Sequence, residues 1–299
     1  MKHYDQYLKE QDYSKGTIST YLRAKEKFVL WCDSKGYEVE IIDYKSCLEY
    51  AKRLQKTKKG KTLSRKTVKH QIGALKIYFN YLIDELFRGD NPMENMNIRG
   101  IKRTLNHNLL EFEELEDLFY SFPTRNIKLP SSPHVAIRDK VVTGLMVYQG
   151  LNPTSLKALK LEHINLERGK IYVPSTRKTN ARELEIKSPQ ILSLAQFINE
   201  SRKMLQDSIG CHTEAFIPLN GDRFEIITYW LFKKLRRINH NLKNSKQIRA
   251  SVITYWLQHH NIREVQYMAG HRYISSTEHY VQDDLENLQE VIESLHPIS

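Results

Sequence analysis

One strand–turn–strand pattern interrupts a chain whose other segments mostly repeat apolar residues at helical spacing. Residues 169–174 (GKIYVP) and 183–186 (ELEI) have the length and residue types of two short strands, and the turn between them is basic. Residues 215–219 are a further candidate for a short buried strand. The pattern therefore predicts a mainly α fold with a small antiparallel β-sheet.

The helical segments fall into two groups, separated by a polar stretch without a clean period. The first group ends at Asn91-Pro92, because a residue before proline disfavours the helix, and its four helices suit a small bundle. In the second group, residues 190–205 are expected to form one amphipathic helix. Two domains are the expectation for 299 residues. The predicted parts are a helical domain over 1–95, a linker over 96–109, and a second domain over 110–299 with a tail helix over 283–295.

The net charge of +11 is concentrated in the first third of the chain. Residues 1–109 hold 22 Lys and Arg against 13 Asp and Glu, a balance of +9, and no acid occurs between Glu49 and Asp84. A basic footprint of this kind suits a polyanion, most simply nucleic acid. The alternative is a solvated basic face without a ligand.

The composition also indicates in which cellular compartment the protein is expected. No stretch is long or apolar enough to span a membrane, and the N-terminus lacks an apolar signal core. Three cysteines lie far apart in the chain, which fits a reducing compartment better than a disulfide framework. We expect a cytoplasmic, nucleoid-associated protein with no membrane partner.

The chemistry is concentrated between Lys246 and Tyr280. Lys246 and Arg249 stand three residues apart at the start of an apolar-periodic run, which puts both cations on one face of a helix. Gly270-His271 follows, and Tyr280 lies nine residues beyond the histidine. A phenol titrates near pH 10, so it needs help to attack a phosphodiester near neutrality, and fixed cations must neutralise the phosphate. Two cations, a histidine and a tyrosine suit that reaction without a metal or another cofactor.

This set of residues resembles the tyrosine recombinase (phage integrase) family, in particular its Xer-like two-domain members. The pair Lys246-x-x-Arg249, then Gly270-His271, then Tyr280 occur in the family's order and at family-like distances. Ser-x-x-Thr-x-x-x-Tyr at 14–21 and the Asn-Pro exit resemble the family's N-terminal domain. The resemblance implies a four-helix SAM-like core-binding domain, which clamps DNA opposite a mixed α/β catalytic domain.

The resemblance also implies a role for each residue of the motif. Tyr280 is the nucleophile and forms a 3′-phosphotyrosyl link that is later resealed without ATP. Arg249 grips the non-bridging phosphate oxygens, for which its planar fork is suited. Lys246 adds positive charge or shuttles protons, and His271 orients the phosphate or accepts the phenolic proton. A lysine on the hairpin is the general acid; Lys178 matches best, with Arg177 as the alternative.

The chain departs from the family pattern at Gly150-Leu151-Asn152-Pro153. The family has an arginine in the slot of Asn152 and an acid three residues on, where this chain has Ser155. Asn152 followed by proline is a helix start, with asparagine as the cap. Loss of one preorganised charge donor costs about 3–4 kcal/mol of transition-state stabilisation in other systems. Either another cation substitutes, or the catalyst is slow, conditional or inactive; the substitutes considered are Arg138, Lys157 and Arg177.

Double-stranded DNA with a specific core site is the expected partner. The resemblance further implies a tetramer on two duplexes, joined through the tail helix, and leaves room for accessory proteins. The candidates for DNA contact are Lys61, Arg65, Lys66, Lys69, Arg177 and Arg182.

Three functions remain open on the sequence. The first is a site-specific recombinase or integrase of a mobile element or a replicon-resolving system. The second is a DNA-binding protein on a recombinase scaffold, with cleavage weakened or lost through Asn152. The third is a type IB-like topoisomerase, which would relax supercoils without a specific site.

Overall fold

The computed structural model describes residues 3–55, 62–100, 108–124, 132–219 and 224–281, apart from the side chain of Ser132. Lys61, half of the expected linker (residues 101–107) and the expected tail helix lie outside these residues. The chain divides into two compact units, residues 1–103 and 104–299. None of the helices in these ranges has both the length and the apolar character needed to cross a bilayer.

The first unit is a helical bundle around an aromatic core. Its helices are α1 (Tyr4–Glu10), α2 (Lys15–Lys35), α3 (Tyr44–Gln55) and α4 (Arg65–Asp84). The side chains of Ser14 and Ser64 each accept a backbone N–H in the first turn of a long helix, so serine caps begin α2 and α4. Gly36 ends α2 in the left-handed conformation, with φ 70°. Phe28 lies at the centre of the bundle, with its ring edge-on to Tyr50.

The second unit wraps helices around two central ones. The helices are α5 (Phe112–Tyr120), α6 (Ser132–Tyr148), α7 (Pro153–Ala158), α8 (Ser188–Gln196), α9 (Arg202–Ile209), α10 (Phe224–Ile238), α11 (Ser245–His259) and α12 (Ile262–Ala269). Every residue from 141 to 151 and from 247 to 254 is buried, so α6 and α11 are enclosed on all sides there. Residues 275–281 are again helical. The polar side chains of α11 between Gln247 and Thr254 therefore lie inside the unit.

A three-stranded antiparallel sheet carries the predicted hairpin. Its strands are β1 (Ile164–Asn165), β2 (Lys170–Val173) and β3 (Arg182–Glu185), in the order β1-β2-β3. Ile171 pairs with Leu184 and Val173 pairs with Arg182, and all four side chains are buried. The mainly α fold with a small antiparallel sheet is confirmed, and β1 is an addition too short to recognise from the sequence.

One local prediction was wrong, and one expected helix contains an irregular turn. Residues 215–219 make a single bridge, between Lys160 and Ala215, instead of a strand. Backbone carbonyl groups there bind the side chain of a buried arginine instead of a neighbouring strand. Arg202 donates to the carbonyl oxygens of Ala215 and Phe216. The expected helix over 190–205 is divided into α8 and α9 by a π-helical turn at Phe197–Ser201.

Candidate active site

Arg249 projects from the buried face of α11 and holds two chain segments together. Nη1 donates to the carbonyl oxygen of Gly150 (2.6 Å) and Nη2 to that of Ala269 (2.7 Å). Nη2 also lies 3.2 Å from Nε2 of His271. The arginine is 9% exposed, so its planar fork is fixed by these partners. The guanidinium therefore joins the 150 segment, the end of α12 and the histidine.

The end of α12 presents His271 to this arginine. Gly270 follows the helix in the left-handed conformation (φ 69°), which a side chain would disfavour, and turns the chain towards the site. Nδ1 of His271 lies 2.9 Å from Oγ1 of the buried Thr277. Arginine can only donate, so Nε2 accepts from Arg249 and the ring proton of the neutral histidine resides on Nδ1. Arg249 thus sets the tautomer of His271, and the hydroxyl oxygen of Thr277 accepts the Nδ1 proton.

Tyr280 completes the cluster. Its ring lies nearly parallel to that of His271, with centroids 5.9 Å apart and an interplanar angle of 8°. The tyrosine is partly buried against the core of the second unit, and its charge interaction with Arg249 favours the charged guanidinium. The helix over 275–281 carries both Thr277 and Tyr280, so one element positions the phenol and the histidine's partner.

The site is electrostatically positive and largely buried. Burial, then the charges of Arg249 and Arg182, lower the pKa of His271 from 6.5 to about 4. Burial also lowers the pKa of Arg249 below its ordinary value. His271 is therefore neutral near pH 7 and available as a proton acceptor, while the charge of the site resides on the arginines.

The hairpin is fastened to the same turn. Thr179 forms an isolated antiparallel bridge with His271, and the N–H of Asn180 donates to the carbonyl oxygen of Gly270 (2.9 Å). Lys178 and Arg177 are exposed at the tip, directly before this anchor. The two candidate general acids therefore lie within a few residues of a backbone contact with His271.

Lys246 and Asn152 occupy two different settings. Lys246 is exposed, one turn before Arg249 on α11. The Oδ1 of Asn152 accepts the backbone N–H of Ser155 (2.9 Å) and caps α7 as predicted. The Ser155 side chain is fully buried. The side chain of Asn152 thus forms a hydrogen bond with the backbone of its own helix.

Two residues of this site were not recognised from the sequence. Thr277 was not considered, although it lies between His271 and Tyr280. Arg182 was expected on the DNA-contacting surface, but it is 2% exposed and lies beside Arg249 and His271. The alternation of β3 could have located it, because Arg182 and Leu184 share the inward face.

The remaining DNA-contact candidates lie on α4. Arg65, Lys66 and Lys69 are exposed in its first two turns, and Nη1 of Arg65 donates to the carbonyl oxygen of Gly100 (3.1 Å). The positive end of the helix dipole coincides with these cations, which increases the attraction for an anion.

Comparison with known proteins assigns both parts of the chain to one family. The model of the phage integrase family matches residues 108–287, and the model of its N-terminal SAM-like domain matches residues 1–87. The chain therefore belongs to the phage integrase family, the tyrosine-type site-specific recombinases.

Several relatives extend over nearly the whole chain. Tyrosine recombinase XerA of Pyrococcus furiosus is 27% identical over 291 residues, which is 96% of this chain and 90% of the relative. Tyrosine recombinase XerC of Thermodesulfovibrio yellowstonii is 24% identical over 302 residues, with coverage of 96% and 92%.

The fold is also similar to solved recombinase structures. The XerH recombinase bound to its difH substrate before cleavage has a TM-score of 0.68 at 18% identity, covering 94% of this chain and 82% of that one. A lambda integrase dimer bound to a COC′ core site has a TM-score of 0.60 at 15% identity, covering 94% and 93%. The similarity at this level of identity is one of fold.

Proposed function

We propose that the protein cleaves and rejoins DNA at a specific core site through a 3′-phosphotyrosyl intermediate on Tyr280. The observation that carries this proposal is the placement of His271 between Arg249 and Tyr280: Nε2 lies 3.2 Å from the guanidinium, and the imidazole ring is parallel to the phenol. The proposed nucleophile, proton acceptor and phosphate-binding cation thus meet in one cluster, contributed by α11, the turn after α12 and the helix over 275–281.

In the proposed reaction, the phenolic oxygen of Tyr280 forms a bond to phosphorus and the bond to the 5′-oxygen breaks. A phosphate oxygen replaces His271 as the partner of Arg249 Nη2, and Nε2 is then free to take the phenolic proton. Lys178 at the hairpin tip, or Arg177 in its place, gives a proton to the leaving 5′-oxygen. The exposed Lys246 adds positive charge at the edge of the site. Reversal with another strand's 5′-hydroxyl reseals the DNA, and no metal or ATP takes part.

The first unit supplies DNA affinity in this proposal. The exposed cations at the start of α4, together with the charge balance of residues 1–109, support contact with the phosphate backbone. Both solved recombinases named above were bound to DNA, and one of them was a dimer. We extend the proposal to an oligomer on DNA, a tetramer in the recombining complex. Its proposed joining element, the tail helix over 283–295, lies outside the described residues.

Asn152 gives a second candidate function some support. Its side chain caps α7, so the slot that the family fills with arginine carries no charge. A protein of this kind could bind its site and cleave it weakly or not at all.

The test begins with the DNA site, selected from a random duplex pool by the purified full-length protein. A suicide duplex with a nick near the scissile phosphate then traps any covalent adduct, which denaturing electrophoresis detects. We expect an adduct from the wild-type protein and none from Tyr280→Phe, while both bind the site with the same affinity.

Two controls keep the outcomes separate. Tyr273→Phe removes a hydroxyl from a tyrosine that is 72% exposed, and its adduct yield should equal that of the wild type. An adduct that survives in Tyr280→Phe contradicts the proposed nucleophile. Tight site binding with no wild-type adduct favours the second function. Relaxation of a supercoiled plasmid that lacks the site would point to a topoisomerase.

A further inference from the structure

The strongest unexplained feature of the second unit is the buried guanidinium of Arg182. Nε donates to the carbonyl oxygen of Met268 (2.8 Å) and Nη1 to that of Asn180 (3.3 Å). Nη2 is buried and has no hydrogen-bond partner among the residues that the structure describes. An unpaired donor on a buried cation is unfavourable, and it commonly marks a position where a ligand supplies the acceptor.

Arg182 and Arg249 converge on the same helix end. Arg182 binds the carbonyl oxygen of Met268 and Arg249 that of Ala269, the last two residues of α12. The final carbonyl groups of a helix lack partners within it and carry partial negative charge. This helix end therefore allows two guanidinium groups to lie near one another in a buried region.

Gly270 permits this close approach. A Cβ atom at position 270 would lie 2.5 Å from Nη1 and 2.8 Å from Cζ of Arg182. The guanidinium thus packs directly against the turn that carries His271. Burial and the charge of Arg249 lower the pKa of Arg182 to about 10, and both arginines lower the pKa of His271.

We propose that Arg182 supplies, from strand β3, the second guanidinium of the phosphate-binding site, in place of the arginine that is missing at position 152. Nη2 is the donor that it offers to a non-bridging oxygen of the scissile phosphate. This inference rests on the proposed function, because it assigns a further residue to the same reaction.

Other cations are less well placed for this role. Arg138 is bound to the buried carboxylate of Asp139 through Nε (3.0 Å) and Nη2 (2.7 Å). Lys157 and Arg177 are exposed, on α7 and at the hairpin tip, so water and salt screen their charges. Preorganisation is what makes a charge effective in a transition state, and Arg182 is fixed by two carbonyl groups.

The test is a cycle of substitutions at positions 182 and 152, read as the single-turnover rate of adduct formation on the suicide duplex. Arg182→Met should slow cleavage by about 100-fold or more, with site affinity unchanged within about threefold. Asn152→Arg should change the rate of the wild-type protein by less than about tenfold. In the Arg182→Met background, the same change should restore the rate by tenfold or more.

A second readout reports the charge itself. His271 faces Arg249, Arg182, Thr277 and Tyr280, so loss of the Arg182 charge should raise the pKa of its ring in an NMR titration. Arg182→Lys keeps a charge and should leave that pKa close to its wild-type value. If Arg182→Met does not fold, Arg182→Lys with and without Asn152→Arg provides the same comparison, with a tenfold or greater gain expected.

The outcomes separate this inference from the function on which it rests. A wild-type protein that cleaves, together with Arg182→Met that cleaves at a similar rate, overturns the role of Arg182 alone. That role is also overturned if Asn152→Arg accelerates cleavage by neither Arg182→Met nor Arg182→Lys. A wild-type protein that forms no adduct overturns both proposals; an adduct that then appears with Asn152→Arg would identify the second function.

Discussion

Gly270 and Gly210 offer a matched pair of substitutions that measures how tightly Arg182 is packed. Both glycines follow a helix in the left-handed conformation, with φ 69° and 62°. Alanine at either position pays about 1–2 kcal/mol for that conformation. At Gly210 nothing lies within 4 Å of the added Cβ, whereas at Gly270 it lies 2.5 Å from the Arg182 guanidinium.

Gly270→Ala should therefore be the more destabilising substitution. To relieve the overlap, Arg182 must give up at least one carbonyl hydrogen bond, and a bond to a charged group contributes about 1.5–3 kcal/mol. We expect the free energy of unfolding to fall by about 2.5–5 kcal/mol for Gly270→Ala, against about 1–2 kcal/mol for Gly210→Ala.

Urea unfolding of the full-length protein, followed by circular dichroism and tryptophan fluorescence, measures both changes. The transition to compare is that of the second unit, since both glycines lie in it. In an Arg182→Met background the extra loss at Gly270 should disappear, because methionine yields more easily than a bound guanidinium. Equal losses for the two alanine variants, or an extra loss that persists without Arg182, would refute the packing argument.

Three further predictions concern charge. The pKa of His271 is lowered from 6.5 to about 4 in the folded protein. As the pH falls from about 6.5 to about 4, the unfolded chain therefore binds a proton at this histidine that the folded chain does not. The free energy of unfolding should fall over that window by up to about 3 kcal/mol. Urea midpoints at pH 7 and pH 4.5 should show a smaller fall for His271→Gln. Asp139→Ala removes a carboxylate that is 1% exposed and bound by Arg138 (2.7 Å) and Lys234 (2.6 Å), and should lower the free energy of unfolding by about 3–5 kcal/mol. The exposed pair of Asp5 and Lys9 is the comparison, and an Asp5→Ala loss as large as that of Asp139→Ala would contradict the reasoning. Lys66→Ala and Lys69→Ala should each reduce the slope of log K against log salt for DNA binding by about 1, and an unchanged slope would remove these lysines from the interface.

Much of the fold follows from local sequence signals. Serine caps, left-handed glycines and helical periodicity predicted the first unit closely, because each signal acts within a turn or two of the chain. The division of α8 from α9 and the single bridge at Ala215 could not be seen in the same way. Both surround Arg202, which binds the carbonyl oxygens of Thr213, Ala215 and Phe216, and such tertiary demands leave no local pattern.

The candidate active site, too, was only partly predictable from the sequence. The order of Arg249, His271 and Tyr280 was enough to predict the family, and that prediction is confirmed; their catalytic roles stay predictions. The hydrogen-bond partner of His271 at Nδ1 is Thr277. Nothing in the sequence distinguishes this threonine from others in the chain. The charge of Arg182 is typical of a surface residue, and only its inward position in the alternation of β3 indicates that it is buried.

The register of the hairpin decides which sign of charge enters the site. Arg182 and Leu184 point inward, and Glu183 and Glu185 point outward. Displacing β3 by a single position against β2 would turn Glu183 inward and place a carboxylate where the guanidinium now lies. Insertions at the exposed tip around Lys178 can be absorbed before the anchor at Thr179. Beyond that anchor, a shift of the pairing register would replace the buried positive charge beside Arg249 and His271 with a negative one.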